Sequence, residues 1–208
     1  MTPSSGGRGR LPDPEPEGAT PLDADDAAGL LPGHISTRGD LNAWEQANIT
    51  KAADWLARRR PSRSILTIDF ARELHRRMFD GTWTWAGEFR RKETNIGVAP
   101  HDIAPSLRVL FDDVTYWIEH GTYPTDEIAA RFHHRLVAIH PFPNGNGRHG
   151  RLMADALLSE LKAAPFSWGA GDLGRAGDVR GRYLSAMRRA DAGDHGPLFA
   201  FVRSGKTS

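Results

Sequence analysis

The sequence predicts an all-α domain, a bundle of about seven helices with one small β-hairpin. Apolar residues recur every three or four positions along most of the chain, as they do on one face of a helix. Thr, Asp and Pro stand where these segments begin, and Gly or Pro follows where they end. Only residues 88–99 alternate as a strand pair would. No apolar run approaches the ~20 residues of a membrane span, so we expect no membrane association.

Composition narrows the class of protein further. The chain has 208 residues, enough for one domain, with six tryptophans and nine phenylalanines for a core. The 27 basic and 26 acidic side chains leave a net charge of +1, which gives no broad case for nucleic-acid binding. The absence of cysteine excludes disulfides and thiolate chemistry and suits a cytoplasmic protein. Residues 1–20 are rich in Pro, Gly and charge, which predicts a disordered tail.

The first predicted helix covers residues 37–60. Thr37 or Asp40 suits its N-cap, and Pro61 follows its end. Its apolar face contains Leu41, Trp44, Ala52, Trp55 and Leu56.

The middle of the chain predicts three more helices and the hairpin. Thr67 suits the N-cap of one helix, and Pro105 suits the first turn of the next. Between them, residues 88–99 predict a short hairpin. Thr125 suits the cap of a helix that ends at His140.

The last third predicts three helices and a loop. A helix follows the glycine-rich segment described next, and residues 163–177 contain four glycines and predict a loop. Asp178 suits the cap of a further helix, and Pro197 the start of a short final one.

A glycine-rich segment, residues 140–151, joins two of these helices and carries the main functional signal. Gly145 and Gly147 allow the backbone to approach a ligand closely, and amides in such a turn can bind an anion. Arg148 and Arg151 follow on one side of the first helical turn and present planar forks that suit phosphate oxygens. The segment therefore predicts a phosphate site, although a plain turn with solvated arginines is the more common use of such residues.

Two side chains near this segment have candidate roles of their own. His140 ends the preceding helix and is placed to take a proton near the phosphate. Asp155, four residues after Arg151, is placed to hold that arginine.

The segment resembles the motif of the Fic-domain (Fic/DOC) family, His-Pro-Phe-x-acidic-Gly-Asn-Gly-Arg-x-x-Arg. The resemblance extends over about residues 30–203, with residues 88–99 as the flap, and is greatest to the group called mobile mystery protein B. The matching motif residues are His140, Pro141, Phe142, Gly145, Asn146, Gly147, Arg148 and Arg151.

The resemblance implies a protein adenylyltransferase that uses ATP and Mg²⁺. His140 would deprotonate a Ser, Thr or Tyr hydroxyl of a target protein, whose oxygen would attack the α-phosphorus. Arg148 would hold the β-phosphate region and Arg151 the γ-phosphate. Asn146 would either touch phosphate or hold the loop, and both roles stay open. The expected nucleotide-binding residues are Gly145, Asn146, Gly147, Arg148 and Arg151.

The sequence departs from the family at Asn144, where the family usually has an acidic Mg²⁺ ligand. A neutral amide offers one carbonyl oxygen and no charge to a hard cation. We therefore expect weak or water-mediated metal binding at Asn144.

Glu45 is a candidate inhibitory residue. Many family members have a helix with the pattern Ser/Thr-x-x-x-Glu-Gly/Asn, whose Glu pairs with the second motif arginine, here Arg151. The segment from Leu41 to Gln46 matches it in part. An ordinary solvated glutamate is the equal alternative.

Four other functions stay open. A nucleotide-binding module with little turnover would follow from Asn144, and so would transfer of another phosphate-containing group. A metal hydrolase would use the cluster of His133, His134, His140 and His149, although no HExxH pattern is present. A DNA-binding role has only short basic runs at residues 58–60 and 188–189.

Overall fold

Helices account for most of the chain that the structure describes. The structure is a computed structural model that describes residues 24–35, 37–59, 65–170, 173 and 177–205. The predicted tail, residues 1–20, lies outside them. The helices within this part are α1 (Ala24–Ala28), α2 (Arg38–Ala57), α3 (Ile68–Phe79), α4 (Ile103–Glu119), α5 (Thr125–Ile139), α6 (Asn146–Glu160), α7 (Asp178–Asp191) and α8 (Gly196–Arg203). Short 3-10 turns occur at Pro100–Asp102 and Trp168–Ala170. The all-α prediction is confirmed, and α1 is added to the seven helices expected.

The predicted ends of several helices agree with the structure to within a residue or two. Thr37 caps α2, where its side chain and that of Asp40 form a reciprocal capping box. Thr67 caps α3 by accepting a hydrogen bond from the Phe70 amide. Thr125 and Asp178, predicted as caps, are instead the first residues of α5 and α7. Pro124 and Gly177 are the N-cap residues, so each of these two helices begins one residue earlier than predicted.

The core lies where α5 packs against α4 and α6, with α3 and α8 closing its sides. The largest fully buried side chains include Phe79, Phe132, Leu74, Leu110 and Leu136, which come from α3, α4 and α5. Hydrophobic burial therefore fixes α5 and α6 relative to each other, and with them the loop that joins them.

Helix α2 is held to the turn after α3 by polar side chains. The Trp44 indole donates to the Gly81 carbonyl at 2.9 Å, and the Asn48 amide donates to the Thr82 hydroxyl at 3.1 Å. With α2 fixed in this way, Glu45, which lies between Trp44 and Asn48 in sequence, is turned toward the interior and is buried.

The predicted hairpin at residues 88–99 does not form. This segment is irregular, and among the described residues the only β-pairing is an isolated bridge between Leu30 and Trp83. The reason is that the two arms of the segment bond to a third stretch of chain. The Arg90 amide donates to the Pro141 carbonyl at 3.0 Å, and the Val98 amide donates to the Ile139 carbonyl at 3.3 Å. We call residues 88–99 the flap.

None of the described helices has the length and apolar character needed to cross a membrane.

Candidate active site

The turn from α5 into α6 requires left-handed backbone at two points. His140 has φ 55° and ψ 60°, and Gly145 has φ 78°. A Cβ on Gly145 would lie 2.5 Å from the Phe79 ring, so this position excludes other side chains in two ways. His140 is not a glycine, and its conformation has to be stabilised by the surrounding groups.

Asn146 fixes the inside of this turn. Its side-chain oxygen accepts from the Phe142 amide at 2.9 Å, and its side-chain nitrogen donates to the Phe142 carbonyl at 2.8 Å. Both functional atoms of the Asn146 side chain are therefore used by the loop. Of the two roles left open for Asn146, this favours loop geometry over phosphate contact by the side chain.

A buried histidine that sequence analysis did not single out supports the same loop. His75 accepts from the Gly87 amide at Nδ1, at 2.9 Å, and lies 3.1 Å from the Asn144 carbonyl at Nε2. Its ring stacks on Phe142, with centroids 3.7 Å apart. Because Nδ1 accepts a hydrogen bond from the Gly87 amide, the ring proton of the neutral imidazole is on Nε2, which donates to the Asn144 carbonyl. The only sequence signal for His75 is a polar residue on the apolar face of α3.

Arg90 belongs to a run of three basic residues, 90–92, and is buried with 4% of its surface exposed. Its Nε donates to the His140 carbonyl at 2.7 Å, and its Nη1 donates to the Lys92 carbonyl at 2.9 Å. Its Nη2 donates to the carbonyls of Val98 and Ile139. Arg90 thus connects the flap to the end of α5.

His140 is held in the neutral state that a general base requires. Its side chain is buried, and burial lowers its pKa to about 4, with the nearby positive charge of Arg90 adding to the effect. At neutral pH the imidazole is therefore unprotonated. The position and the protonation state agree with the predicted role.

The start of α6 presents donors for an anion. The backbone bonds of this helix begin where the His149 amide donates to the Gly145 carbonyl at 2.9 Å, which leaves the first-turn amides ahead of it pointing out of the helix end. The Gly145 amide is used differently, because it donates to the side-chain oxygen of Asn144 at 2.6 Å. The predicted anion site is therefore centred on the amides of Gly147 and Arg148 rather than on Gly145.

Glu45 reaches this site, but by a different contact from the one that the resemblance implied. Its Oε2 forms an ion pair with Arg148 Nη1 at 2.6 Å, and its Oε1 accepts from the Trp83 indole at 2.7 Å. Glu45 is 4% exposed, so the alternative of a solvated glutamate is wrong. The partner is Arg148 and not Arg151, because the Trp83 indole fixes the carboxylate beside the first arginine.

Arg151 lies against Tyr183 of α7, with its guanidinium carbon 5.9 Å from the ring centroid. Burial lowers its pKa. Asp155 does not hold it, contrary to the sequence prediction. The Asp155 carboxylate accepts from the Phe166 amide at 3.0 Å and from the Trp168 indole at 2.9 Å, and so fixes the loop after α6.

Three of the four histidines considered for a metal hydrolase have separate partners. His133 contacts the Tyr183 hydroxyl at 2.9 Å, His134 pairs with Asp191 at 2.7 Å, and His149 contacts the Ala71 carbonyl at 2.9 Å. Within the described ranges, no group of three His, Asp or Glu side chains is placed to hold a metal ion. The geometry gives this alternative no support.

The fold and the site together define an all-α protein with a buried, neutral histidine ahead of a helix N-terminus that carries two arginines. Residues 65–158 match the family model for the Fic/DOC family. This match includes residues 140–151, the segment whose motif resembles that family.

Known proteins are similar to the chain in sequence and in fold. The chain is 30% identical over 142 residues to the protein adenylyltransferase Fic of Drosophila virilis, which covers 66% of this chain and 28% of the relative. The chain thus spans less than a third of that relative's length. Fic-1 (residues 134–508) of C. elegans has a similar structure, with a TM-score of 0.62, 25% identity, and coverage of 85% of this chain and 51% of the other. BepC of Bartonella tribocorum, solved with bound AMPPNP, shares the fold at 18% identity, with a TM-score of 0.64 and coverage of 86% and 95%.

Buried neutral histidines predict a stability that falls in mild acid. The pKa is about 3 for His133 and about 4 for His140 and His149, and burial lowers that of His75 well below 6.5. Above pH 6.5 these histidines are neutral in both the folded and the unfolded chain, so their contribution to the free energy of unfolding is complete. Below it, the unfolded chain binds protons that the folded chain does not, so stability falls by about 1.4 kcal/mol per pH unit for each such histidine. Urea unfolding from pH 7.5 to 5 measures this slope.

The variant His149→Gln should reduce the slope by about one histidine's share. The matched control is His101→Gln, because the His101 side chain is 82% exposed and its replacement should leave the slope unchanged. An unfolding midpoint that stays constant between pH 7.5 and 5 would contradict the prediction.

Gly145→Ala should destabilise the protein by about 2 to 4 kcal/mol, because it combines a left-handed residue with a clash against Phe79. Thermal unfolding measures the loss. Gly147→Ala is the control, since its Cβ would meet nothing closer than Arg151 Nη1 at 3.7 Å. Equal stability of the two variants would show that the left-handed turn is not required.

Proposed function

We propose that this protein is a protein adenylyltransferase, which transfers AMP from ATP to a Ser, Thr or Tyr hydroxyl of a target protein. The observation that carries the proposal is the placement of His140, buried and neutral, one short turn ahead of the helix start with Arg148 and Arg151. The name of the Drosophila virilis relative and the AMPPNP bound to BepC support ATP as the donor.

In the proposed reaction His140 accepts the proton of the target hydroxyl. The hydroxyl oxygen forms a bond to the α-phosphorus of ATP, and the bond to the bridging oxygen breaks, so that pyrophosphate leaves. The amides of Gly147 and Arg148 and the two guanidiniums stabilise the negative charge on the phosphates. Most of the rate therefore comes from positioning and charge neutralisation.

Mg²⁺ is part of the proposal only as far as Asn144 allows. The side-chain oxygen of Asn144 already accepts a hydrogen bond from Gly145, and it carries no charge. Asn144 would therefore be a weak or water-mediated ligand of Mg²⁺. The stronger ligands of the metal ion would be the phosphates of the substrate. When bound there, Mg²⁺ would neutralise phosphate charge.

The ion pair between Glu45 and Arg148 supports auto-inhibition. A guanidinium paired with a buried carboxylate is not available to a phosphate, and the carboxylate repels one. We propose that Glu45 holds the enzyme in a restrained state, and that movement of α2 or loss of the carboxylate releases it.

A nucleotide-binding module with little turnover is the second candidate, and Asn144 is the observation that favours it. Loss of an acidic metal ligand can leave the nucleotide site intact while lowering the rate by orders of magnitude. Transfer of another phosphate-containing group would use the same base and the same arginines.

The cytoplasmic location stays a prediction.

Transfer of label from ATP distinguishes these candidates. Wild type, Glu45→Gly and His140→Ala would be incubated with Mg²⁺ and cell extract, with ATP labelled at the α-phosphate or at the γ-phosphate. We expect α-label on protein, at least about tenfold more with Glu45→Gly because Arg148 is released, and none with His140→Ala. Gln46→Gly is the matched control for a glycine in α2, since Gln46 is exposed. Label from the γ-phosphate alone would indicate phosphoryl transfer, and ATP binding without label would favour the binding module.

Restoring the acidic residue should strengthen metal binding. Asn144→Asp keeps an oxygen for the Gly145 amide and adds a negative charge, so the Mg²⁺ concentration for half-maximal ADP binding should fall about tenfold. Calorimetric titration of ADP at several Mg²⁺ concentrations measures this. Asn42→Asp adds the same charge on the exposed side of α2 and should leave the Mg²⁺ dependence unchanged. An equal response of both variants would exclude a metal contact at position 144.

A further inference from the structure

Arg90 occupies an unusual environment for a guanidinium. It is buried, and each of its three nitrogens donates to a backbone carbonyl, with His140, Lys92, Val98 and Ile139 as acceptors. Burial of a cation is unfavourable, and it lowers the pKa of Arg90. Such a residue persists where its bonds do something that an apolar side chain does not.

The acceptors of Arg90 come from two parts of the protein. The carbonyls of Ile139 and His140 form the C-terminal end of α5, where the partial negative charge of the helix favours a cation. The carbonyls of Lys92 and Val98 belong to the two arms of the flap. One planar side chain therefore bonds the flap to the residue that ends α5.

The flap and His140 are also in direct proximity. A Cβ on Gly97 of the flap would lie 2.6 Å from Arg90 Nη2 and 2.8 Å from His140 Cβ. Gly97 has φ 116°, a conformation that other residues rarely adopt. The absence of a side chain at Gly97 thus allows the flap to lie against both residues.

We propose that Arg90 is a positioning residue, which holds the backbone of His140 in its left-handed conformation and couples it to the position of the flap. The inference rests on the proposed function, because it assigns Arg90 a part in placing the proposed base. Arg90 acts through His140 and does not contact the nucleotide in this account. A target protein that binds the flap would then act on the geometry of the base through one side chain.

The coupling should separate the two substrates kinetically. The amides and guanidiniums proposed to bind the nucleotide belong to α6. The start of this helix is fixed by Asn146 and Gly145, independently of Arg90. Loss of Arg90 should therefore lower kcat and raise KM for the target protein, while KM for ATP changes by less than about threefold. A displacement of the base by about 1 Å corresponds to a loss of roughly 100-fold in kcat.

The test uses the full chain with Arg90→Ala and Arg90→Lys, in wild-type and Glu45→Gly backgrounds. Arg91→Ala is the matched control, because the Arg91 side chain is 88% exposed. We expect kcat to fall by about 10- to 100-fold for both Arg90 variants and to stay unchanged for the control. Lysine should not restore activity, since it retains the charge but lacks the planar fork.

Chemical rescue tests the bonds themselves. Guanidinium at tens of millimolar should recover at least about fivefold of the activity of Arg90→Ala, because it restores a planar cation with N–H donors for the same carbonyls. Methylammonium carries the charge but lacks the planar set of N–H donors, so it should not restore activity. Equal recovery with both ions, or none with guanidinium, would overturn the positioning role, as would a loss in ATP affinity equal to the loss in kcat.

A measurement independent of transfer keeps the proposal separate from the proposed function. Trypsin cleavage after Lys92 should be at least about tenfold faster in Arg90→Ala than in the Arg91→Ala control, and guanidinium should slow it. If the wild-type chain transfers no nucleotide but this cleavage behaves as expected, the proposed function fails and the anchoring of the flap stands. Unchanged cleavage would overturn the inference whatever the activity.

Discussion

The buried turn between α5 and α6 sets the main physical constraint on this structure. Its first four residues, 140–143, are buried, and buried peptide groups must find hydrogen-bond partners in the protein. Three side chains bond to the backbone of residues 140–144 from three directions: Asn146 from the start of α6, His75 from α3, and Arg90 from the flap. The position of the turn is therefore determined by the packing of the whole domain and not by the local sequence alone.

This constraint explains how burial and chemistry coincide at the site. Phe142 anchors the turn in the core, where its ring is fully buried and stacks on His75. Burial of the same turn keeps His140 neutral. The next helix begins immediately afterwards, so its first-turn amides and Arg148 follow the turn directly, and Arg151 lies about one helical turn further along. A proton acceptor and an anion site are thus separated by only a few residues of rigid backbone.

The sequence predicted those parts of the site that depend on local order. Helical periodicity on both sides of residues 140–151, and glycines between them, were sufficient to predict the helix, loop and helix. It could not predict the features that depend on tertiary contacts. Arg90 and Arg91 are neighbours in one basic run, yet one is buried and the other exposed, and only the fold distinguishes them. The prediction of a hairpin was wrong for the same reason, because the flap forms its hydrogen bonds with residues 139–141, which are distant in sequence.

The ion pair between Glu45 and Arg148 has consequences for how the site would open. Removing one member of a buried pair leaves an uncompensated charge, at a free-energy cost of about 3 to 5 kcal/mol. Trp83 reduces that cost, because its indole still donates to Glu45 when the arginine leaves. A nucleotide whose phosphates bind Arg148 would also repel the carboxylate, which cannot turn away without loss of the Trp83 bond. Helix α2 is held to residues 81–82 by two further hydrogen bonds, so displacement of Glu45 requires displacement of the helix. The proposed restraint therefore resides in the docking of α2 as much as in the charge of Glu45, and it can be released by any partner that detaches this helix.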